Sequence, residues 1–169
     1  MYPVRLGYDT AIKRINRLIH NGHHAEALVT SMFTVEKTLR RTLRQIIVSA
    51  GFTSKSADKI ISKINGMENL KEAWALYDPM QKKLTEIIEP KDWLIIKRIS
   101  KMRNEMVHGI RVYELDTCKM ETENLLQVLD RVKTKLDVVY GYSGWEKFKI
   151  RKTSKLHTDP KIRINGEVN

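Results

Sequence analysis

An all-α fold is predicted by three observations. Apolar residues recur at spacings of three and four along most of the chain. Eight Gly and four Pro in 169 residues fall between the periodic segments rather than inside them. No internal repeat or low-complexity run interrupts the pattern. A length of 169 residues with 41% apolar side chains fits one domain with a sizeable buried core and excludes a disordered chain.

Asp9 can cap a first helix carrying Ile12, Ile15, Leu18 and Ile19, which stops near Gly22. The second helix, from about Ala25 to Val48, aligns Leu28, Met32, Val35, Leu39, Leu43 and Ile46 as one apolar stripe. A shorter helix with Ile60, Ile61 and Ile64 follows the Thr53-Ser54 cap, and another with Met67, Leu70, Trp74 and Tyr77 ends at Asp78-Pro79. A turn or two from Met80 to Ile88 leads to Pro90. Proline suits the first position of a helix, and this one runs to Val107 or His108, where Gly109 closes it. A last long helix starts near Asp116, aligns Leu125, Leu129, Val132, Leu136 and Val139, and ends at Gly141. Four long helices plus short ones make a bundle over residues 1–142, with 143–169 as a basic extension. The alternation in Lys147-Phe148-Lys149-Ile150-Arg151 fits either an edge strand or a tail that orders on binding.

Thirty-one Lys and Arg against 20 Asp and Glu give a net charge of +11, which favours a polyanionic partner. Seven of the cations lie in residues 145–169 beside three acids. A single cysteine, Cys118, excludes an intramolecular disulfide and thiolate metal clusters, so a reducing, cytoplasmic setting is expected. Cys118 falls on the apolar side of the last helix, as a small buried hydrophobe. No apolar stretch approaches the roughly 18 residues that cross a bilayer, so no membrane partner is expected. His20, His23 and His24 bracket a turn with Glu26 but match no metal-site spacing, and no metal or cofactor is expected.

On the Pro90 helix, Ile95, Ile99, Met102 and Met106 share a face and are expected to meet the core. Lys97, Lys101, Asn104 and His108 lie opposite, with Ser100 and Arg111 at the margin and Arg103 on the flank. Asn104 and His108 are one turn apart. The carbonyls of a helix C-terminus attract an imidazolium, and a charged histidine there can donate a proton. Arg103 brings a planar fork for two phosphate oxygens, and Asn104 an amide that can bond a phosphate or fix the imidazole. Such groups suit phosphodiester cleavage, which needs a base, an acid and cations for the charge that builds on phosphorus. One helix supplies one histidine. Two copies meeting across a two-fold axis would line one cleft with both Arg103 and both His108.

Arg103-Asn104-Glu105-Met106-Val107-His108 resembles the R-x(4–6)-H motif of HEPN ribonucleases, in which a polar residue often follows the arginine. The loose spacing also fits Arg14/His20, Arg17/His23, Arg17/His24 and Arg151/His157. Only Arg103/His108 carries the Asn and closes a long, late helix. The second helix, Met32 to Arg41, is similar to the long early helix of HEPN domains, where an acid borders the apolar stripe, a place Glu36 holds here. Glu36 either orients Arg103 or an RNA-facing group, or makes an ordinary surface pair with Arg40 at i+4.

The resemblance covers about residues 9–140. It implies a homodimeric, metal-independent endoribonuclease acting on single-stranded or looped RNA, with Arg103 and His108 as catalytic residues, Asn104 as the polar one, and Glu36 and Lys101 in support. A toxin or antiviral-defence role, with an antitoxin or regulatory protein as partner, goes with it. The H-x-Y extension of some family toxins is not matched, since the chain reads His108-Gly109-Ile110 with Tyr113 three positions late.

Candidate RNA contacts are Arg40, Arg41 and Arg44 on the second helix, Lys97 and Arg111, and Lys147, Lys149, Arg151 and Lys152 in the tail. Trp145 and Phe148 either stack on bases or anchor the tail. The alternative to an enzyme is a non-catalytic HEPN-like dimer that binds nucleic acid or protein. A DNA-binding regulator would need a recognition helix, and the segment 56–77 is rich in Trp, Leu and Ile rather than base-reading side chains.

Overall fold

The two longest apolar stripes of the chain lie against each other. The computed structural model describes residues 7–145 and contains, among them, seven helices and no strand: α1 (Tyr8–His20), α2 (His24–Ser49), α3 (Ser54–Lys63), α4 (Gly66–Tyr77), α5 (Leu84–Ile87), α6 (Pro90–Val107) and α7 (Leu115–Tyr140). Leu28, Met32, Val35, Leu39, Leu43 and Ile46 of α2 are fully buried, as are Leu125, Leu129 and Leu136 of α7. Helix α2 is the hub: α1, α3, α4, α6 and α7 all pack on it, and α6 also rests on α7. The expected all-α bundle is the observed architecture. Among the described residues no helix is long and apolar enough to cross a membrane.

Several helix ends follow their sequence signals. Thr53 caps α3 by accepting from the Ser56 amide at 3.2 Å, and Pro90 occupies the first turn of α6. Asp9 is not the α1 cap. Gly7 holds that place, and Asp9 contributes only its negative charge to the first turn. The buried face of α6 is broader than the expected one. Ile99 and Met102 are buried as expected, Trp93, Ile96 and Ser100 are buried as well, and Ile95 and Met106 are only partly covered. Because α6 touches α2, α4, α5 and α7, more than one of its faces is covered, which counting from a single stripe does not anticipate.

Two polar networks tie helices together inside the bundle. The Trp74 indole donates to Tyr140 Oη at 2.8 Å, and Tyr140 donates to Asp78 Oδ2 at 2.6 Å. Burial, then this bond to Asp78, pushes the Tyr140 phenol far above its ordinary pKa. Asp78 Oδ1 accepts the Met80 and Lys82 amides, so the residue that ends α4 also orders the following turn. In the second network, Arg131 of α7 grips Asp92 of α6 with Nη2 to Oδ1 at 2.7 Å and Nε to Oδ2 at 3.1 Å. Asp92 is 1% exposed. Asp92→Ala is expected to cost about 2 kcal/mol in denaturant unfolding, less than for a fully buried pair because Arg131 can turn to water.

Residues 143–145, assigned from sequence to the extension, pack on the helices. Trp145 donates to Thr38 Oγ1 at 2.9 Å and meets the Tyr8 ring edge-on at 5.6 Å. Gly144 makes this approach feasible, because a Cβ there would lie 2.7 Å from Arg41 Cβ and 3.1 Å from the Thr38 carbonyl. Trp145 therefore anchors rather than awaits a base. Phe148 and the Lys147–Arg151 alternation lie outside the described residues.

Candidate functional site

The end of α6 is shaped by its own hydrogen bonds. The His108 amide donates to the Asn104 carbonyl at 3.0 Å, Gly109 to Met106 at 3.1 Å and Ile110 to Glu105 at 2.8 Å. This pairing needs a left-handed residue after the cap, and Gly109 supplies it with φ +66°. The turn closes the helix immediately after His108 and leaves His108 and Asn104 exposed.

One turn earlier, Arg103 leans from α6 onto α2. Its Nη2 donates to Glu36 Oε2 at 2.8 Å, while Glu36 Oε1 accepts Arg40 Nε, also at 2.8 Å. Glu36 thus holds Arg103 on one oxygen and its i+4 neighbour Arg40 on the other. The Arg103 guanidinium lies over the Phe33 ring, 4.9 Å from its centroid. Its Nε is buried with no partner among the described residues, although the side chain keeps 17% of its surface in solvent. The salt bridge and the ring fix the guanidinium plane, so it is pre-positioned rather than waving free. Replacing Glu36 with alanine removes the shared acceptor of both arginines and is expected to cost about 1–2 kcal/mol in denaturant unfolding.

The other candidates on α6 and in the turn after it fall into two groups. Lys97 and Lys101 are solvent-exposed, with Lys97 Nζ 3.1 Å from Glu68 and Lys101 Nζ 3.9 Å from Glu105. Arg111 stacks over Tyr113 at 4.8 Å, and Tyr113 Oη donates to Glu105, which raises the phenol's pKa.

The α2 arginines assigned to RNA each have partners within the chain. Arg40 also donates to the Ile61 carbonyl at 3.3 Å, Arg41 donates to the Gly144 carbonyl at 3.2 Å and covers Trp145, and Arg44 grips Asp58 with two nitrogens. Arg44 holds the Asp58 carboxyl below its usual range. Lys147, Lys149, Arg151 and Lys152 lie outside the described residues.

The structure therefore joins Arg103, Glu36 and Arg40, leaves Asn104 and His108 on the adjacent surface, and sets Arg41 and Arg44 to hold Trp145 and α3. Sequence reasoning missed Phe33 and Glu105 as site residues and met Tyr113 only as the tyrosine of an unmatched H-x-Y extension. Phe33 carried one legible signal: a large aromatic off the apolar stripe, three residues before Glu36. Among the described residues no group of three or more His, Cys, Asp or Glu could hold a metal ion, and His23 only approaches Glu26 at 4.0 Å. Cys118 is fully buried, and burial pushes its thiol up. No protein-family model, curated protein or solved structure matches the chain.

Proposed function

We propose that this protein is an endoribonuclease of the HEPN type, acting as a homodimer in the cytoplasm and cutting single-stranded or looped RNA without a metal. The observation that carries the reading is the Glu36–Arg103 pair. It joins residues 67 positions apart that were linked beforehand by the resemblance alone. Arg103 would hold two oxygens of the scissile phosphate with the part of its fork that Glu36 leaves free. The ribose 2′-hydroxyl attacks that phosphorus, losing its proton to one His108. The second copy's His108 returns a proton to the departing 5′-oxygen, leaving a 2′,3′-cyclic phosphate and a 5′-hydroxyl. Asn104, one turn from His108, would orient the imidazole or the phosphate.

A second copy meeting at the motif would also cover Phe33, which is 51% exposed. The same pair of residues, Glu36 and Arg103, also serves a non-catalytic dimer that binds nucleic acid or protein, with the ion pair as a mere clasp between helices.

The deciding experiment incubates purified protein with mixed RNA and EDTA, then maps the ends. Cyclic phosphates from wild type and intact RNA from His108→Ala support the enzyme; equally intact RNA in both removes it. In cells, growth arrest on inducing wild type, lost with Arg103→Ala and His108→Ala, supports a toxin or defence role restrained by an antitoxin. Unchanged growth points to the clasp.

A further inference from the structure

A groove of about 480 Å³ runs between the start of α4 and the outer face of α6, and Asn104 and Lys101 form part of its wall. It lies beside the Arg103–His108 motif without including either residue. The volume falls within the roughly 300–1,000 Å³ of ordinary ligand pockets.

Its charges are already matched. Lys97 and Lys71 both hold Glu68, at 3.1 and 2.6 Å, and Lys101 faces Glu105, which also accepts Tyr113 Oη. No net cation is left to draw an anion into the groove. Neutral hydrogen-bonding groups remain unspent. Asn65 occupies the N-cap position of α4, yet its side chain does not cap the helix. Asn69 donates its amide to the Asn65 carbonyl at 2.7 Å, which leaves its own oxygen to accept.

Ser100 is the most telling member. It is 9% exposed, lines the groove, and its hydroxyl has no partner among the described residues. Helical serines and threonines ordinarily return the hydroxyl to a carbonyl one turn back. Thr34, Thr38, Thr42 and Thr122 all do so here. The Ser100 hydroxyl instead opens onto the groove, where it can meet water or a ligand.

Uncharged donors and acceptors side by side, with Met67 and Ile110 as apolar neighbours, match the edge and face of an unpaired nucleobase. We infer that this groove is a base-binding subsite: it takes one splayed-out base of the RNA strand, next to the phosphate held by Arg103. The inference rests on the ribonuclease reading, and Ser100, Asn65 and Asn69 are its specificity-determining residues.

The test uses labelled trinucleotides that are 2′-deoxy throughout, with either an intact base or an abasic site at one position, and follows binding to the full-length protein by anisotropy. The intact base is expected to bind about 10-fold more tightly, because the abasic analogue loses both the apolar contact with Met67 and Ile110 and the hydrogen bonds of the groove. Ser100→Ala combined with Asn69→Ala should shrink that ratio to less than about 3-fold. Asn65→Ala, at an exposed position, gives the same direction if the double variant does not fold. Equal affinity for intact and abasic strands, or a ratio that survives in the folded variants, overturns the subsite. All-ribose strands run in parallel separate the two readings. Base discrimination without cleavage sinks the nuclease and keeps the subsite, whereas cleavage without discrimination does the reverse.

Discussion

His108→Ala is expected to lower RNA cleavage by roughly 10²–10⁴-fold, the range for losing a positioned general acid or base. Its melting temperature should not move, because His108 is exposed and only its backbone amide takes part in closing α6. Arg103→Ala should match this loss of activity but also destabilise the fold, since it strips Glu36 of one partner and uncovers Phe33. Arg103→Lys separates charge from shape: an ammonium cannot share a carboxylate and a phosphate in one plane, so activity should stay close to that of the alanine variant. Mixing His108→Ala protomers with Arg103→Ala protomers and recovering part of the activity would show that the two groups work from opposite copies. No recovery at any mixing ratio argues against a composite site.

Tyr140→Phe is expected to be the most destabilising single-atom change in the bundle. The lost hydroxyl serves two buried groups at once, the Trp74 indole N–H and the Asp78 carboxylate, with Trp74 fully buried and Asp78 6% exposed. Each orphaned group costs about 1–3 kcal/mol, so about 3 kcal/mol in total is a reasonable centre. For a chain of this size that lowers the melting temperature by about 6–12 °C. Trp74→Phe, which leaves the Tyr140–Asp78 bond in place, should cost less. Calorimetry with both variants decides it; a Tyr140→Phe shift below that of Trp74→Phe would mean that the network matters less than the ring it supports.

Most of the helical frame was legible because capping and periodicity are local. Thr53, Pro90, Gly109 and Gly141 mark helix ends through interactions within a turn of the chain, and the α2 stripe needs no knowledge of its partners. What required three dimensions was anything set by a neighbour. The full width of the buried face of α6 depends on the helices that cover it, and α1 takes Gly7 rather than Asp9 as its cap, while its first residue, Tyr8, meets Trp145, 137 positions on. The same limit applies at the candidate site. Arg103, Asn104 and His108 could be set on one helix by counting, whereas Phe33 beneath the guanidinium and Tyr113 on Glu105 are consequences of packing. Arg40, Arg41 and Arg44 read as a basic stripe until their carboxylate, carbonyl and indole partners come into view.

Glu36 has one negative charge to divide between two guanidiniums. The trio it forms with Arg40 and Arg103 therefore carries an uncompensated unit of positive charge, held in place and largely shielded from water. A surface lysine with the same charge can swing away and is screened by salt, whereas this surplus has a fixed position and faces little solvent to dilute it. An anion settling there would meet a field already oriented before it arrived.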